Sequence, residues 1–381
     1  MMSAKYKNIA LVCVMSALIF GFSLWSILKP ADEFSDSERR PLAQMPAFSL
    51  ESVLNENAEE SFMRLFEDYT LDQFPLRELF RRVKSVAAYY VFNRMDNNGI
   101  YLEDGYAAKL EYPMSEASLD YAAKKFRTVY ERFLKNTDAR VYTSVIPDKG
   151  YFLAEQNGYL SMDYEAFFAY FREKMSFATY IDITETLSLS DYYKTDTHWR
   201  QEKLLDTAGA LASGMGTVLA GEYEERALEY PFYGVYYGQS ALPLPAETIF
   251  YLESEMMAEC VVYDHQNGRE ISFYDMEKAA GKDPYETFLS GNLSVVTIEN
   301  PNATTEKELI VFRDSFGSSL IPLLAEGYRK ITVVDIRYIQ SANLQVLRDQ
   351  RTGKALIDFQ NADDVLFMYS TLVLNNSGTL R

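Results

Sequence analysis

The apolar positions divide the chain into stretches of different character. Residues 9–28 (IALVCVMSALIFGFSLWSIL) hold no charge. At about 1.5 Å rise per residue such a helix crosses roughly 30 Å of hydrocarbon. The run 29–49 is polar, has three prolines and shows no periodicity, which predicts an extended linker. Phe62, Leu65, Phe66 and Tyr69 then recur at i, i+3, i+4 and i+7, the stripe of an amphipathic helix that Pro75 interrupts. Leu79, Phe80 and Val83 resume the stripe on a second helix, and core packing is the expected role of both. Asn98-Gly99 and Asp104-Gly105 mark turns around a short apolar segment, so a hairpin is expected within 95–110.

Leu119, Ala122, Phe126, Val129, Tyr130, Phe133 and Leu134 describe a further helix, followed by the β-branched run ARVYTSVI that Pro147 ends. That helix-to-strand step marks the start of an α/β domain. TYIDIT (179–184) reads as a strand, and Leu204, Leu205, Ala208 and Leu211 as a helix. The C-terminal third alternates: strand ELIVFRD, helix SSLIPLLAEG, strand KITVVDIRY, helix NLQVLRDQ, strand DVLFMYST. Alternation of this kind builds right-handed crossovers in a parallel sheet. Residues 221–300, rich in tyrosine, read as an insertion with antiparallel strands. The fold class expected is α/β, three-layered, with a central and mostly parallel sheet. The expected order is 1–28 cytoplasmic tip and membrane helix, 29–60 linker, 61–136 helical segment packed on the α/β domain, and 137–381 α/β domain with the insertion at about 221–300.

Charge narrows the partners. The chain has 37 Lys and Arg against 55 Asp and Glu, a net −18, which repels phosphate backbones and argues against nucleic acid. Lys5 and Lys7 precede the apolar run, so the N-terminus stays in the cytoplasm and the rest crosses. No A-x-A-like site follows the run, which favours a single-pass signal anchor over a cleaved signal peptide. Cys13 and Cys260 are the only cysteines and build neither a disulfide scaffold nor a cysteine-rich metal site. No phosphate-binding or dinucleotide-binding glycine pattern is present, so no metal and no cofactor is expected.

The candidate chemistry lies in two segments. Ser315 follows the buried run ELIVF and precedes a helix beginning near Gly317, so its hydroxyl is expected at the carboxyl end of a sheet strand. Its own N–H, close to a helix start, is placed to stabilise an oxyanion. A serine needs a base. His198, in YYKTDTHW, is one of two histidines and lies two residues after Asp196, which is positioned to hold its other ring nitrogen. The second histidine, His265, lies in a turn-like polar stretch and is expected to be a loop residue. Ser318 and Ser319 are rival nucleophiles, but fall inside the helix. Taken singly, D-x-H is commonplace and DSFG can be a capping turn with Asp314 or Ser315 as the cap. Together they point to a Ser–His–Asp site.

The segments SDSERRPLAQMPAFS, FEDYTLDQFPLRELF, NNGIYLEDGY, TDTHW, FRDSFGSSL and VVDIRY occur in an order that resembles the DHHW protein family. That family is similar to the alginate O-acetyltransferases of the AlgJ and AlgX type, whose catalytic domain is SGNH-hydrolase-like. The resemblance covers most of 35–380 and is weakest in 221–300. It implies Asp196, His198 and Ser315 as the triad. Two positions depart from the pattern: Thr197 stands where the family name expects histidine, and Arg200 stands where a threonine or serine often follows the tryptophan. The resemblance also implies an extracytoplasmic enzyme that esterifies a polysaccharide acceptor, its acetyl donor supplied by a membrane-bound O-acyltransferase. Trp199, Arg337 and Tyr338 are the candidate substrate-binding residues, the first as a stacking face and the others at the end of the strand after Ser315. Two other functions stay open: a carbohydrate acetylesterase with the same triad, and a non-catalytic polysaccharide-binding protein.

Overall fold

The computed structural model describes residues 4–49, 53, 61–219 and 221–381, so positions 1–3 of the expected cytoplasmic tip and most of 50–60 of the expected linker lie outside the described residues. The chain forms two compact units, one of 1–97 with 238–243 and one of 98–237 with 244–381.

The first unit starts with helix α1 (Ala4–Leu28), whose segment Lys5–Leu28 contains an 18-residue stretch with a mean hydropathy of 2.3 and is long and apolar enough to cross a membrane. Strands β1 (Phe34–Ser35) and β2 (Arg40–Pro41) then pair antiparallel. Two helices follow, α2 (Phe62–Asp72) and α3 (Arg77–Val86), the latter running into a π-helical turn, Ala87–Val91. The polar run after α1 is therefore not an extended linker throughout. The Asp72 carboxylate accepts from the Arg40 guanidinium at 2.6 and 2.8 Å and from the Ala43 N–H at 2.9 Å. Gln73 exchanges two hydrogen bonds with the Asp32 backbone, both 2.8 Å. Side-chain clamps of this kind leave no periodic trace in a sequence. The stripe on α3 also departs from expectation: Leu79, Phe80 and Val83 are exposed, while Ser85 is buried.

The second unit is built on an eight-stranded sheet. After the hairpin β3 (Ile100–Glu103) and β4 (Tyr106–Lys109) comes helix α4 (Glu116–Val129), capped by Ser115, whose side chain accepts from the Ser118 N–H. Strand β5 (Arg140–Ile146) is followed by helix α5 (Tyr164–Lys174) and the two-residue strand β6 (Thr179–Tyr180). The expected strand 179–184 stops early because Asp182 accepts from the Thr184 N–H at 3.0 Å, and this turn takes the chain off the sheet. Helix α6 (Leu205–Gly214) comes next.

The insertion supplies β7 (Glu224–Ala227) and β8 (Phe250–Glu253), which pair with each other, then β9 (Val261–Asp264), β10 (Arg269–Ile271) and β11 (Val295–Glu299). The C-terminal third supplies β12 (Glu308–Arg313), helix α7 (Gly317–Leu324), β13 (Lys330–Val334) and β14 (Asp364–Ser370). The helix expected over NLQVLRDQ is only a 3-10 turn, Ser341–Val346, with no side-chain cap and only Leu344 of its apolar residues buried.

The sheet order is β10-β9-β11-β13-β12-β14-β5-β6. From β13 to β6 all neighbours are parallel, and from β13 through β11 and β9 to β10 they are antiparallel. Alternation along the strands feeds two cores. Leu309 and Val311 of β12 and Leu366 and Met368 of β14 join the core under α6 and α7. Ile310, Phe312, Val365 and Phe367 join the opposite core with α4 and α5. Three layers result, helices on both faces of a mostly parallel sheet. β12 sits between β13 and β14, so the turn at its carboxyl end opens where α/β sheets place ligands.

Candidate active site

That turn is short because Asp314 holds it from two sides. Its Oδ1 accepts from the Phe316 N–H at 3.0 Å, and its Oδ2 accepts from the N–H and the hydroxyl of Ser370, both at 2.7 Å. Asp314 thus closes the turn before α7, an Asx-type turn, and ties it to the end of β14. Gly317 lets α7 leave the strand closely, since a Cβ there would stand 2.8 Å from Arg313 Cβ. Ser315, next to Asp314, is left half-buried, its hydroxyl taking no part in the turn. Its N–H lies at the start of α7 and donates to no acceptor among the described residues.

The structure brings Ser315, His198 and Asp196 together. Ser315 Oγ lies 2.8 Å from His198 Nε2, and His198 Nδ1 lies 2.6 Å from Asp196 Oδ1. With the carboxylate accepting from Nδ1–H, the Nε2 lone pair faces the serine hydroxyl, the tautomer a general base requires. Asp196 is fully buried, and its oxygens also accept from the His198 N–H at 3.0 Å and the Val235 N–H at 2.7 Å. The chain bearing Val235 comes this close because residue 234 is glycine: a Cβ there would lie 2.3 Å from Asp196 N.

The loop carrying Asp196 is suspended by two charged side chains. Glu247 accepts from the N–H groups of Lys194 and Thr195 and from the Thr195 hydroxyl, each at 2.7 Å. Lys149, 2% exposed, donates to the carbonyls of Tyr193 at 2.8 Å and Lys194 at 3.3 Å. Burial brings the Lys149 pKa down to about 7, a fall that Asp196, Glu247 and Asp148 partly oppose.

The imidazole is walled by rings. Tyr285 stacks on His198 with centroids 3.9 Å apart and planes 9° from parallel, and Phe316 leans on it at 4.9 Å. Tyr285 lies in a 3-10 turn, Pro284–Thr287, capped by Asp283. Just beyond it Leu289, Ser290 and Gly291 all adopt left-handed φ, at 51°, 53° and 80°. Each non-glycine residue there costs about 1–2 kcal/mol. The conformation is held by the Leu289 N–H on the Phe273 carbonyl (2.9 Å) and by the buried Arg313 guanidinium on the Gly291 carbonyl (3.2 Å).

Trp199 is not a stacking face for a substrate. It is fully buried, and its indole N–H donates to the Phe316 carbonyl and the Ser319 hydroxyl, both at 3.0 Å. The same Ser319 hydroxyl lies 2.9 Å from the Tyr285 hydroxyl, and Ser318 is 2% exposed, so the helix serines are structural. Arg337 is pinned to Asp335 by bonds of 2.7 to 3.2 Å, and Tyr338 is 45% exposed; both follow β13, the strand beside β12. His265 is buried and faces Thr297 at 3.0 Å, and burial lowers its pKa. It is a packed residue between β9 and β11 rather than the solvated loop residue expected. Among the described residues no three His, Cys, Asp or Glu side chains converge as metal ligands.

Tyr285 and Lys149 escaped the sequence reading. Tyr285 is one of 29 tyrosines, inside a segment without periodicity. Lys149 follows a strand like any surface lysine, and only the folded chain shows it buried.

The DHHW protein family model matches residues 178–334, a span that includes Asp196, His198, Tyr285 and Ser315. No curated protein sequence matches the chain. Among solved structures, a DHHW family protein from Eubacterium siraeum is similar at 21% identity and a TM-score of 0.60, over 74% of this chain and 95% of that one. Bacillus cereus PatB1, solved with a sulfonyl adduct, is similar at 17% identity and a TM-score of 0.57, over 72% of this chain and 95% of that one. The O-acetyltransferase domain of Pseudomonas putida AlgJ is a more distant likeness, with 13% identity and a TM-score of 0.44 over 73% of this chain and 92% of that one.

Proposed function

We propose that the protein is a membrane-anchored, extracytoplasmic O-acetyltransferase acting on a cell-surface or secreted polysaccharide through Ser315, His198 and Asp196. The observation that carries this reading is the continuous relay from Ser315 Oγ to His198 and on to Asp196, assembled from positions 117 residues apart. A packed core has no need of such a relay, with one end half-open to solvent and the other sealed. The match to the DHHW proteins supports it, as does the apolar helix α1 behind Lys5 and Lys7.

The reaction takes two halves. Ser315 Oγ attacks the carbonyl of an acetyl donor while His198 Nε2 takes the hydroxyl proton. The oxyanion so formed is stabilised by the Ser315 N–H at the start of α7. Collapse expels the donor's leaving group, which takes the proton from His198, and leaves an acetyl-serine. A sugar hydroxyl then attacks the ester, giving its proton to His198, and the proton returns to Ser315 Oγ as the acetylated sugar departs. Asp196 keeps the imidazole oriented and balances its charge throughout. Trp199 binds no substrate in this scheme. Tyr338, exposed beyond β13, and Arg337 beside it are the acceptor-binding groups of this reading. As the resemblance to the DHHW and alginate O-acetyltransferase proteins implies, a membrane-bound O-acyltransferase supplies the acetyl group in this reading.

The test combines labelling and product analysis. A sulfonyl fluoride, the reagent class that PatB1's adduct suggests, labels wild type but not Ser315→Ala. Wild type given an activated acetyl ester and an oligosaccharide then yields acetylated oligosaccharide. Release of acetate alone would mean an esterase, and no labelling with no turnover would mean a binding protein.

A further inference from the structure

Helix α3 is amphipathic the wrong way round for a helix of a water-soluble unit. Its inward face carries Arg77 and Arg81, whose guanidinium groups pair with Glu38 at 2.5 and 3.2 Å, and Ser85, whose hydroxyl donates to the Ser240 carbonyl at 2.5 Å. Its outward face carries Leu79 (54% exposed), Phe80 (44%) and Val83 (57%), continued by Tyr90 and Val91 within the π-helical turn. Soluble helices hide the apolar stripe and expose the polar one. The same outward surface includes Leu71, Phe74 and Leu76 at the bend between α2 and α3. Contiguous exposed apolar surface on this scale marks a face that meets something other than water.

The packing of α1 identifies the occupant. Phe22 stacks on Phe74 with centroids 5.6 Å apart and meets Phe80 edge-on at 5.9 Å. Six residues of α1 follow Phe22 before the helix ends at Leu28. At about 1.5 Å per residue, Phe22 lies roughly 9 Å below the outer end of the helix. With α1 spanning a bilayer, Phe74 and Phe80 therefore sit at the depth where headgroups give way to acyl chains, the level that interfacial amphipathic helices occupy. Leu76, in the left-handed region at φ 60°, makes the reversal that brings the two helices to that level.

We infer that the bend between α2 and α3 and the outward stripe of α3 are embedded in the outer leaflet of the membrane that α1 crosses, so that the first unit is a lipid-seated platform and not a tether. This rests on the reading of α1 as an uncleaved anchor. A second copy or a membrane protein partner could cover the same face, and the experiment separates these from lipid.

The experiment uses the full chain in lipid nanodiscs without partner proteins. Cys13→Ser and Cys260→Ser clear the background, and single cysteines at Leu18, Leu79, Val83 and Glu78 carry nitroxide labels. Collision with oxygen, enriched in lipid, is compared with collision with a water-soluble nickel chelate. The inference expects oxygen to dominate deeply at Leu18 and at a shallower depth at Leu79 and Val83, with the chelate dominating at Glu78. Chelate dominating at Leu79 and Val83 while Leu18 stays in lipid would overturn the inference and leave the anchor standing. Labels at 79 and 83 shielded from both reagents would mean a protein cover, which also overturns it. An aqueous Leu18 would remove the anchor itself, and the inference with it.

Discussion

The indole N–H of Trp199 reaches the hydroxyl of Ser319 at 3.0 Å, so the residue next to His198 is fastened to the helix that follows Ser315. His198 and Ser315 come from distant parts of the chain, and this bond, with the one to the Phe316 carbonyl, sets their spacing. Trp199→Phe keeps most of the ring volume and removes both bonds. The expected cost is about 1–3 kcal/mol of stability, since buried acceptors lose their donor. The expected kinetic signature is a fall in kcat with KM little changed, because substrate does not touch the ring. A raised KM with unchanged kcat would return Trp199 to substrate binding.

Tyr285 separates stacking from hydrogen bonding. Tyr285→Phe retains the ring on His198 and loses only the contact with Ser319, so turnover is expected to fall a few-fold at most. Tyr285→Ala removes the wall of the imidazole and opens a cavity, at about 3–5 kcal/mol of stability. Turnover of the folded fraction is expected to drop far more than for phenylalanine. Equal turnover in the two folded variants would show that the stacked ring does not position the base.

Lys149 predicts a pH dependence. In the folded protein its pKa falls from 10.5 to about 7, burial being the main cause. Between these values the unfolded chain holds a proton that the folded chain has released. Stability contributed by this site therefore rises with pH through that window, and below about pH 7 the fold bears the whole cost of the buried cation. Lys149→Met removes the titration. Urea midpoints measured from pH 7 to pH 10 are expected to rise for wild type relative to the variant. Parallel profiles would mean that the lysine titrates alike in both states.

How much of this was legible in the sequence depends on whether a feature is periodic or assembled. The strands ELIVFR and DVLFMYS and the helix after Gly317 were legible because buried parallel strands are continuous apolar runs bounded by turns. Ser315, Asp196 and His198 could be picked out because a strand end and a scarce histidine carry local signals. Tyr285, Lys149 and Glu247 matter only through contacts between distant segments, which no local pattern encodes. The stripe on α3 was visible as a pattern, but periodicity tells which residues share a face and not what that face meets. Trp199 shows the same limit: a tryptophan beside His198 looks the same in sequence whether its ring faces solvent or the next helix.

The central claim is that Ser315 becomes acetylated during turnover. Wild type mixed with an activated acetyl ester and acid-quenched within the first turnovers is digested, and the peptides are weighed by mass spectrometry. The account predicts one acetyl group on Ser315, none at that position in Ser315→Ala, and turnover lowered by roughly 10⁴–10⁶-fold in Ser315→Ala and His198→Ala alike. An acetyl group on another residue, or Ser315→Ala that still turns over at the wild-type rate, would contradict it.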